Sequence, residues 1–199
     1  MASWPTGRAT IMAELFYIIG ASGVGKDSLI NYLRQHLQPG APVAIAHRYI
    51  TRPFDADGEN HIELSETEFA NRMYWGCFAL EWYSHRTWYG IGIEIDQWLS
   101  SGLSVVVNGS RAYLAEATHL YPDLIPVLIT SDYDQLRQRL INRGRESAEQ
   151  IEQRLETARL LDQQLRHPQL QRISNNGSIE LAGEQLLKLV QKKESRTCA

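Results

Sequence analysis

Cysteine is scarce in this chain of 199 residues, which contains only Cys77 and Cys198. Two cysteines do not make the disulfide framework that stabilises many small secreted domains, and neither lies in a spacing typical of zinc ligands. The sequence therefore predicts a protein of a reducing compartment, the cytoplasm.

Long apolar runs and an excess of basic charge are also missing. No run approaches the ~20 residues that a membrane-spanning helix needs, and residues 1–8 lack the apolar core of a signal peptide. Lys and Arg together number 20 against 23 Asp and Glu, so the net charge is −3. A general nucleic-acid binder would carry a basic surplus. We therefore expect neither a membrane nor a nucleic-acid partner, and small ligands instead.

Residues 20–27, Gly-Ala-Ser-Gly-Val-Gly-Lys-Asp, form the most informative motif. They follow an apolar run at residues 15–19 and precede a helical pattern from Ser28, which is the context of a phosphate-binding loop. Backbone N–H groups of such a loop surround nucleotide phosphates, and Lys26 reaches the outer ones. Asp27 stands where the motif has the Ser or Thr that holds Mg²⁺. The expected nucleotide-binding residues are Gly20, Ala21, Ser22, Gly23, Val24, Gly25, Lys26, Asp27 and Ser28.

Strand-like and helical patterns alternate along the chain, which predicts an α/β fold with a parallel sheet flanked by helices. Capping patterns at residues 65–68 and 147–150 predict the starts of two helices. We expect a single domain over residues 15–192, preceded by an N-terminal tail at residues 1–14. The core strands are expected at residues 15–19, 43–46, 103–107, 124–129 and 172–174.

The carboxyl ends of these strands predict where ligands bind, because ligands of an open parallel sheet gather beyond those ends. Arg48 and Arg52 follow the second strand, and Pro53 disfavours a helix at Arg52. We interpret the segment as a loop that presents two guanidinium groups, which match phosphate oxygens bidentately. Taken alone it could be a solvated basic loop; beside the phosphate loop, a second phosphate-bearing substrate is favoured.

Four arginines form a third group: Arg139, Arg143, Arg145 and Arg154. The Arg-Gly-Arg sequence at 143–145 interrupts two helical patterns, as a mobile lid would. Arginines that close over a transferring phosphoryl group stabilise its charge and exclude water. We expect a catalytic role for at least two of the four. Alternatively, Arg139 and Arg154 pair with acidic residues on helix faces.

An aromatic segment at residues 82–90 is typical of the core of a small lobe. Trp82 is expected to pack there. Tyr89, on an expected loop, is a candidate for a hydrogen bond to a substrate phosphate. His61 is another candidate, although a single histidine is more often a structural residue.

In their order, these motifs resemble those of the guanylate kinase family. The matching pieces cover nearly all of residues 15–190: residues 20–26, 51–53, 81–82, 89–90, 139–144 and 154–155. The resemblance implies a P-loop kinase with a parallel five-stranded core, an acceptor lobe near residues 48–100 and an arginine lid near residues 143–154. It implies ATP and Mg²⁺, an acceptor phosphate, and roles for Asn175 in binding ATP and for Lys26, Arg139, Arg143 and Arg154 in catalysis.

Departures from that family narrow the expected acceptor. Guanylate kinases carry an acidic Asp-x-Asp after the strand at 103–107, where this chain has Asn-Gly-Ser-Arg at 108–111. Carboxylates suit the N–H donors of guanine, whereas Arg111 favours an anionic acceptor. With these departures, the sequence resembles a branch of the family that makes 5-phosphoribosyl 1-diphosphate from ribose 1,5-bisphosphate in bacterial phosphonate catabolism. The expected acceptor-binding residues are Arg48, Arg52, His61, Glu81, Tyr89 and Arg111.

Alternatives remain for the acceptor and for the metal. Glu81 retains the carboxylate of the guanine type, so a guanylate kinase is the second candidate, and an inactive binding module of the same fold is the third. Intact Lys26 and lid arginines count against the module. We expect Asp27 to supply the Mg²⁺ carboxylate that is missing after residues 103–107, unless it only caps the helix.

Overall fold

The computed structural model describes residues 13–54, 59–144 and 147–191, so residues 1–12, Arg145 and Cys198 lie outside the described part. The elements, in chain order, are β1 Leu15–Gly20, α1 Lys26–His36, β2 Val43–Ile45, β3 Arg48–Ile50, β4 Ile62–Glu63, α2 Glu66–Tyr74, β5 Phe78–Ser84, β6 Thr87–Gly92, α3 Glu94–Ser100, β7 Ser104–Asn108, α4 Leu114–Leu120, β8 Ile125–Thr130, α5 Tyr133–Arg143, α6 Ala148–Gln164, β9 Gln171–Ser174 and α7 Ile179–Gln191.

The core is a five-stranded sheet in the order β2-β7-β1-β8-β9, and all of its pairings are parallel. This confirms the predicted architecture. Residues 15–19 of the central strand are all buried because packed layers cover both faces of the sheet. Phe16 and Ile18 belong to one apolar cluster, whereas Leu15, Tyr17 and Ile19 belong to the cluster on the other face.

A second sheet of four strands, in the order β4-β3-β6-β5, builds a small lobe. Helix α2 closes it through Phe69, whose ring stacks on Phe78 with centroids 4.5 Å apart. The sequence interpretation was wrong here on two points, because Arg48 lies in β3 and Tyr89 in β6 rather than in loops. The turn of the β5–β6 hairpin is formed by His85 and Arg86, both with positive φ, so the usual Gly or Asn turn signal is missing.

Helices α5 and α6 form a pair joined at Gly144, whose φ of 64° allows the tight end of α5. Helix α6 begins with the predicted capping box of Ser147 and Gln150. Between the two helices, Arg137 Nε donates to Glu152 Oε1 at 2.6 Å. The pair stands over the carboxyl edge of the core sheet, so arginines on it can face a ligand there. Among the described residues, no helix is both long and apolar enough to span a membrane.

Candidate active site

A polar cleft of about 1170 Å³ opens at the carboxyl edge of the core sheet. It is bounded by the phosphate loop, the small lobe, the segment after β7 and the α5–α6 pair. The predicted residues that line it are Gly20, Ser22, Gly23, Gly25, Lys26, Asp27, Ser28, Arg48, Arg52, Tyr89, Arg111, Arg143 and Arg154. The predicted residues outside the lining are Ala21, Val24, His61, Glu81, Arg139 and Asn175. We call residues 20–28 the loop side of the cleft, and Arg48, Arg52, Tyr89 and Arg111 the arginine side.

The loop side is shaped by its backbone. Gly20, Gly23 and Gly25 adopt φ values of 151°, 88° and 99°, which L side chains rarely adopt. Helix α1 begins at Lys26, two residues before the predicted start, and the Lys26 ammonium donates to the carbonyls of Gly20 at 2.9 Å and Ala21 at 3.1 Å. Burial lowers the pKa of Lys26 to about 8, and the neighbouring Asp27 carboxylate partly offsets that effect.

Arg139 and Asn175 support the loop from behind. The Val24 carbonyl accepts from Arg139 Nη1 at 3.1 Å and from Asn175 Nδ2 at 2.8 Å, while Arg139 Nη2 donates to the Asn175 carbonyl at 2.9 Å. A Cβ on Gly25 would lie 2.4 Å from Asn175 Nδ2, so only glycine fits this contact. The structure thus brings both predicted residues to the loop backbone. It places Arg139 against carbonyls rather than against helix-face carboxylates.

Asn108, at the end of β7, donates from Nδ2 to Asp27 Oδ1 at 2.7 Å. This amide stands where the resemblance described above implies a carboxylate, and two carboxylates in contact would repel each other. Asn108 is only 5% exposed, and its Oδ1 is a buried acceptor without a hydrogen-bond partner among the described residues. Such an atom is costly unless something binds it. Asp27 lines the cleft, and Asp27 and Asn108 together form a small oxygen-rich corner in a smaller neighbouring pocket.

Tyr17 of the central strand fixes the segment after β7. Its hydroxyl accepts from the Ser110 N–H at 3.0 Å and lies 3.2 Å from the Ser110 carbonyl. A Cβ on Gly109 would lie 2.2 Å from the Tyr17 ring, so the backbone approaches the ring as closely as glycine allows. Burial raises the pKa of Tyr17 well above its usual range, which keeps the hydroxyl protonated. The segment therefore presents Arg111 from a rigid base.

On the arginine side, Arg48 is held between a carboxylate and a ring. Both Nε and Nη2 of Arg48 donate to the Glu59 carboxylate, and Arg52 lies 3.8 Å from the same carboxylate. The Arg48 guanidinium also lies over the Tyr89 ring, 5.1 Å from its centroid, and that ring stacks on Trp82. Sequence reasoning did not assign Glu59 to the site. The available signal was its position two residues before the candidate His61.

Arg111 is likewise paired, but with a residue of the α5–α6 pair. Its Nη1 donates to Asp162 Oδ1 and approaches the Ala158 carbonyl at 3.4 Å. Asp162 lies on α6 at a separation of 51 positions along the chain, so no local pattern could have revealed the contact. On the same pair of helices, burial and the like charge of Arg143 lower the pKa of Arg154. These two arginines therefore lie within electrostatic reach of each other, and both line the cleft.

Two predicted acceptor residues lie elsewhere. His61 is buried, and its ring nitrogens lie 3.0 Å from the Glu59 carbonyl and 3.1 Å from the Arg52 carbonyl. It joins the backbone on either side of residues 55–58, as the structural alternative expected. Trp82 and Ser84 lie on one face of β5 and line the cleft. Glu81 lies on the opposite face of the strand, because successive side chains alternate, and it does not line the cleft. Burial raises the pKa of Glu81.

A phosphate loop facing arginines across a polar cleft, on a parallel sheet with a small lobe, defines a P-loop kinase. The family model described as guanylate kinase matches residues 12–193. The crystal structure of guanylate kinase from Anaplasma phagocytophilum has a TM-score of 0.71, covers 95% of this chain and 89% of that chain, and is 13% identical, which shows the shared fold.

Curated sequences give a finer comparison. Ribose 1,5-bisphosphate phosphokinase PhnN of Psychromonas ingrahamii is 53% identical over 89% of this chain and 89% of its own length. The protein of the same name from Desulfomicrobium baculatum is 52% identical, covering 90% of this chain and 95% of its own. The chain therefore belongs to the guanylate kinase family and, within it, to the ribose 1,5-bisphosphate phosphokinases.

Proposed function

We propose that this protein transfers the γ-phosphoryl group of ATP to the 1-phosphate of ribose 1,5-bisphosphate, giving ADP and 5-phosphoribosyl 1-diphosphate, in phosphonate catabolism. The observation that carries the proposal is Arg111, which lines the cleft in the segment after β7. In this segment the resemblance to guanylate kinases leads us to expect acidic residues instead. Arg48 and Arg52 line the same cleft. A bisphosphate without a base needs cationic partners for two phosphates, and these three arginines supply them.

The chemistry needs little from the protein beyond positioning and charge. The acceptor phosphate is already an anionic nucleophile, so a general base is not required. In this proposal the loop amides and Lys26 hold the outer phosphates of ATP, and Arg139 and Asn175 keep the loop in shape through Val24. Arg143 and Arg154 face the transferring group, where charge develops and water must be excluded.

Mg²⁺ fits the corner formed by Asp27 and Asn108. Its preferred ligands are hard oxygens, and Asp27 offers a carboxylate that lines the cleft. The Asn108 amide that contacts Asp27 carries a buried oxygen, Oδ1, which has no hydrogen-bond partner among the described residues. Among the described residues, no cluster of three or more His, Cys, Asp or Glu side chains could hold a metal. The ion would therefore be shared with the nucleotide, and when bound it neutralises part of the phosphate charge.

The deciding experiment offers ATP and Mg²⁺ with ribose 1,5-bisphosphate, with GMP or with no acceptor, and follows the products by phosphorus NMR. We expect turnover of ribose 1,5-bisphosphate to exceed that of GMP by at least ~100-fold, because one lost recognition pair in a buried site costs a few kcal/mol. Lys26→Ala, prepared in parallel, controls for contaminating kinases. Comparable rates with both acceptors would favour a guanylate kinase, and no turnover with either would favour a binding module.

A further inference from the structure

Asp162 forms a contact between two separate parts of the cleft wall. It lies on α6 and accepts a hydrogen bond from Arg111 Nη1, which follows β7. The two side chains are 14% and 22% exposed. An ion pair that is this shielded from solvent holds its geometry better than an exposed one, because water screens it less. The contact therefore fixes where the Arg111 guanidinium lies relative to α6.

The surrounding charges show why Arg111 needs a partner before any ligand binds. Arg48, Arg111 and Lys26 line the same cleft, and the positive charges of both arginines act to lower the pKa of Lys26. An arginine in such a cluster is driven towards solvent by repulsion. Asp162 opposes that repulsion for Arg111, as Glu59 does for Arg48. Arg111 is thereby kept in the cleft.

The pairing also leaves Arg111 able to bind a phosphate. A guanidinium has five N–H donors in a planar fork. Within the described residues, both contacts of Arg111 run through Nη1, so Nε and Nη2 keep donors for a ligand. Arg154 and Leu161, also on α6, line the same cleft. A phosphate on Arg111 is therefore connected through one carboxylate to the helix that carries Arg154.

We propose that Asp162 is a positioning residue for the acceptor: it holds Arg111 in the cleft and ties the acceptor phosphate site to α6. This inference rests on the proposed function. A pre-placed Arg111 lowers the conformational cost of binding the acceptor, and this gain applies to the acceptor and not to ATP. Loss of Asp162 therefore affects acceptor binding selectively.

The test compares Asp162→Ala and Asp162→Asn with Glu156→Gln as the matched control. Glu156 pairs with Arg159 on the same helix, but both are exposed and neither lines the cleft. We expect Asp162→Ala to raise the acceptor KM ~10-fold, the equivalent of one hydrogen bond to a charged group. The ATP KM and kcat are expected to stay within about threefold. Asp162→Asn keeps an acceptor oxygen and should lie between Asp162→Ala and the wild type, and Glu156→Gln should match the wild type.

A double-mutant cycle distinguishes positioning from a general structural effect. If Asp162 acts through Arg111, then Asp162→Ala adds less than about twofold in an Arg111→Ala background. An equal effect in both backgrounds, or an equal rise in the KM of ATP, overturns the proposal. Thermal unfolding of each variant shows whether it is folded. If Asp162→Ala is unfolded, the same comparison is made with Asp162→Asn.

Calorimetric binding of ribose 1,5-bisphosphate, without ATP, separates this proposal from the proposed function. Wild type that binds the bisphosphate without turning it over contradicts the proposed function alone. Asp162→Ala that binds it as tightly as wild type contradicts the role of Asp162 alone. Wild type that does not bind the bisphosphate overturns both.

Discussion

On the loop side of the cleft, backbone atoms fix the geometry, whereas on the arginine side the geometry depends on side chains from distant segments. Lys26 donates to two carbonyls of its own loop. Arg48 and Arg111 instead rely on Glu59 and Asp162, at separations of 11 and 51 positions. The difference teaches that the phosphate donor site is built mainly by one contiguous motif, which Arg139 and Asn175 support from outside, whereas the acceptor side is built by ion pairs between separate segments.

The largest loss of activity is expected when the positive charge of Lys26 is removed from the loop side. Lys26→Ala should lower kcat/KM ~1000-fold, since a preorganised cation in a water-poor site is worth several kcal/mol in the transition state. Steady-state kinetics with both substrates provide the measurement. Lys188→Ala, an exposed lysine on α7, is the control and should behave as wild type. A loss of less than tenfold for Lys26→Ala would show that the loop backbone alone is sufficient.

The α5–α6 pair faces both sides of the cleft, and substitution of its arginines should lower kcat rather than weaken substrate binding. Arg154→Ala is expected to lower kcat ~100-fold with the KM of ATP and acceptor nearly unchanged, because its charge matters most as the phosphoryl group transfers. Arg159→Ala, on the same helix but paired with Glu156, is the control. If Arg154→Ala raises either KM and spares kcat, Arg154 is a binding residue of that side.

Substitution of Asp27 tests whether a side chain of the loop side is needed for Mg²⁺ binding. Asp27→Asn should raise the Mg²⁺ concentration for half-maximal rate ~10-fold, because a carboxylate binds this hard cation better than an amide does. The hydrogen bond from Asn108 can persist to the new amide oxygen. Asp134→Asn, also in a first helical turn, controls for the effect of the helix dipole.

Unchanged Mg²⁺ dependence with a small loss of thermal stability would show that Asp27 only stabilises the first turn of α1, where its negative charge interacts favourably with the helix dipole. A large effect of Ser28→Ala on Mg²⁺ dependence would instead assign the ion to Ser28.

The two sides should also differ in pH dependence. Lys26 has a pKa of about 8 in the free protein, below its usual value of 10.5, so it is largely neutral at pH 9. ATP favours the charged ammonium, so binding there requires proton uptake, and the affinity should fall ~10-fold between pH 8 and 9.5. Acceptor affinity should stay constant over that interval, because arginine does not titrate.

Calorimetry in two buffers of different ionisation enthalpy measures the proton uptake directly. About one proton per ATP is expected at pH 9 and almost none at pH 7, and the uptake should vanish in Lys26→Ala. The folding stability of the free protein should change with pH in the opposite direction to the ATP affinity. Between pH 8 and 10.5 Lys26 binds more protons in the unfolded chain than in the folded one, so its contribution to stability rises with pH. Proton uptake that persists in Lys26→Ala would assign it to another group.

The same contrast explains how much the sequence could predict. The five core strands and the helix caps at Ser65 and Ser147 depend on neighbouring residues, and they were recognised within a few positions. Strand β3, only three residues long, pairs with β6 some 40 positions away, so its partner was invisible locally. Strand ends, the interrupted helical pattern and the departures from a known family pointed to the cleft arginines, but none of them assigned Glu59 or Asp162 to the site. Those contacts exist only once the chain has folded.

Positions 109 and 110 of the segment after β7 should tolerate substitution less well than the positions on either side. Both are pinned to Tyr17, through a close approach and through hydrogen bonds, whereas the side chains on either side, those of Asn108 and Arg111, contact Asp27 and Asp162. Selection or a laboratory library can therefore exchange the outer two positions while the inner two preserve the scaffold. A new acceptor class needs changes at few sites here, which makes this short segment the natural starting point for redesigning what the cleft phosphorylates.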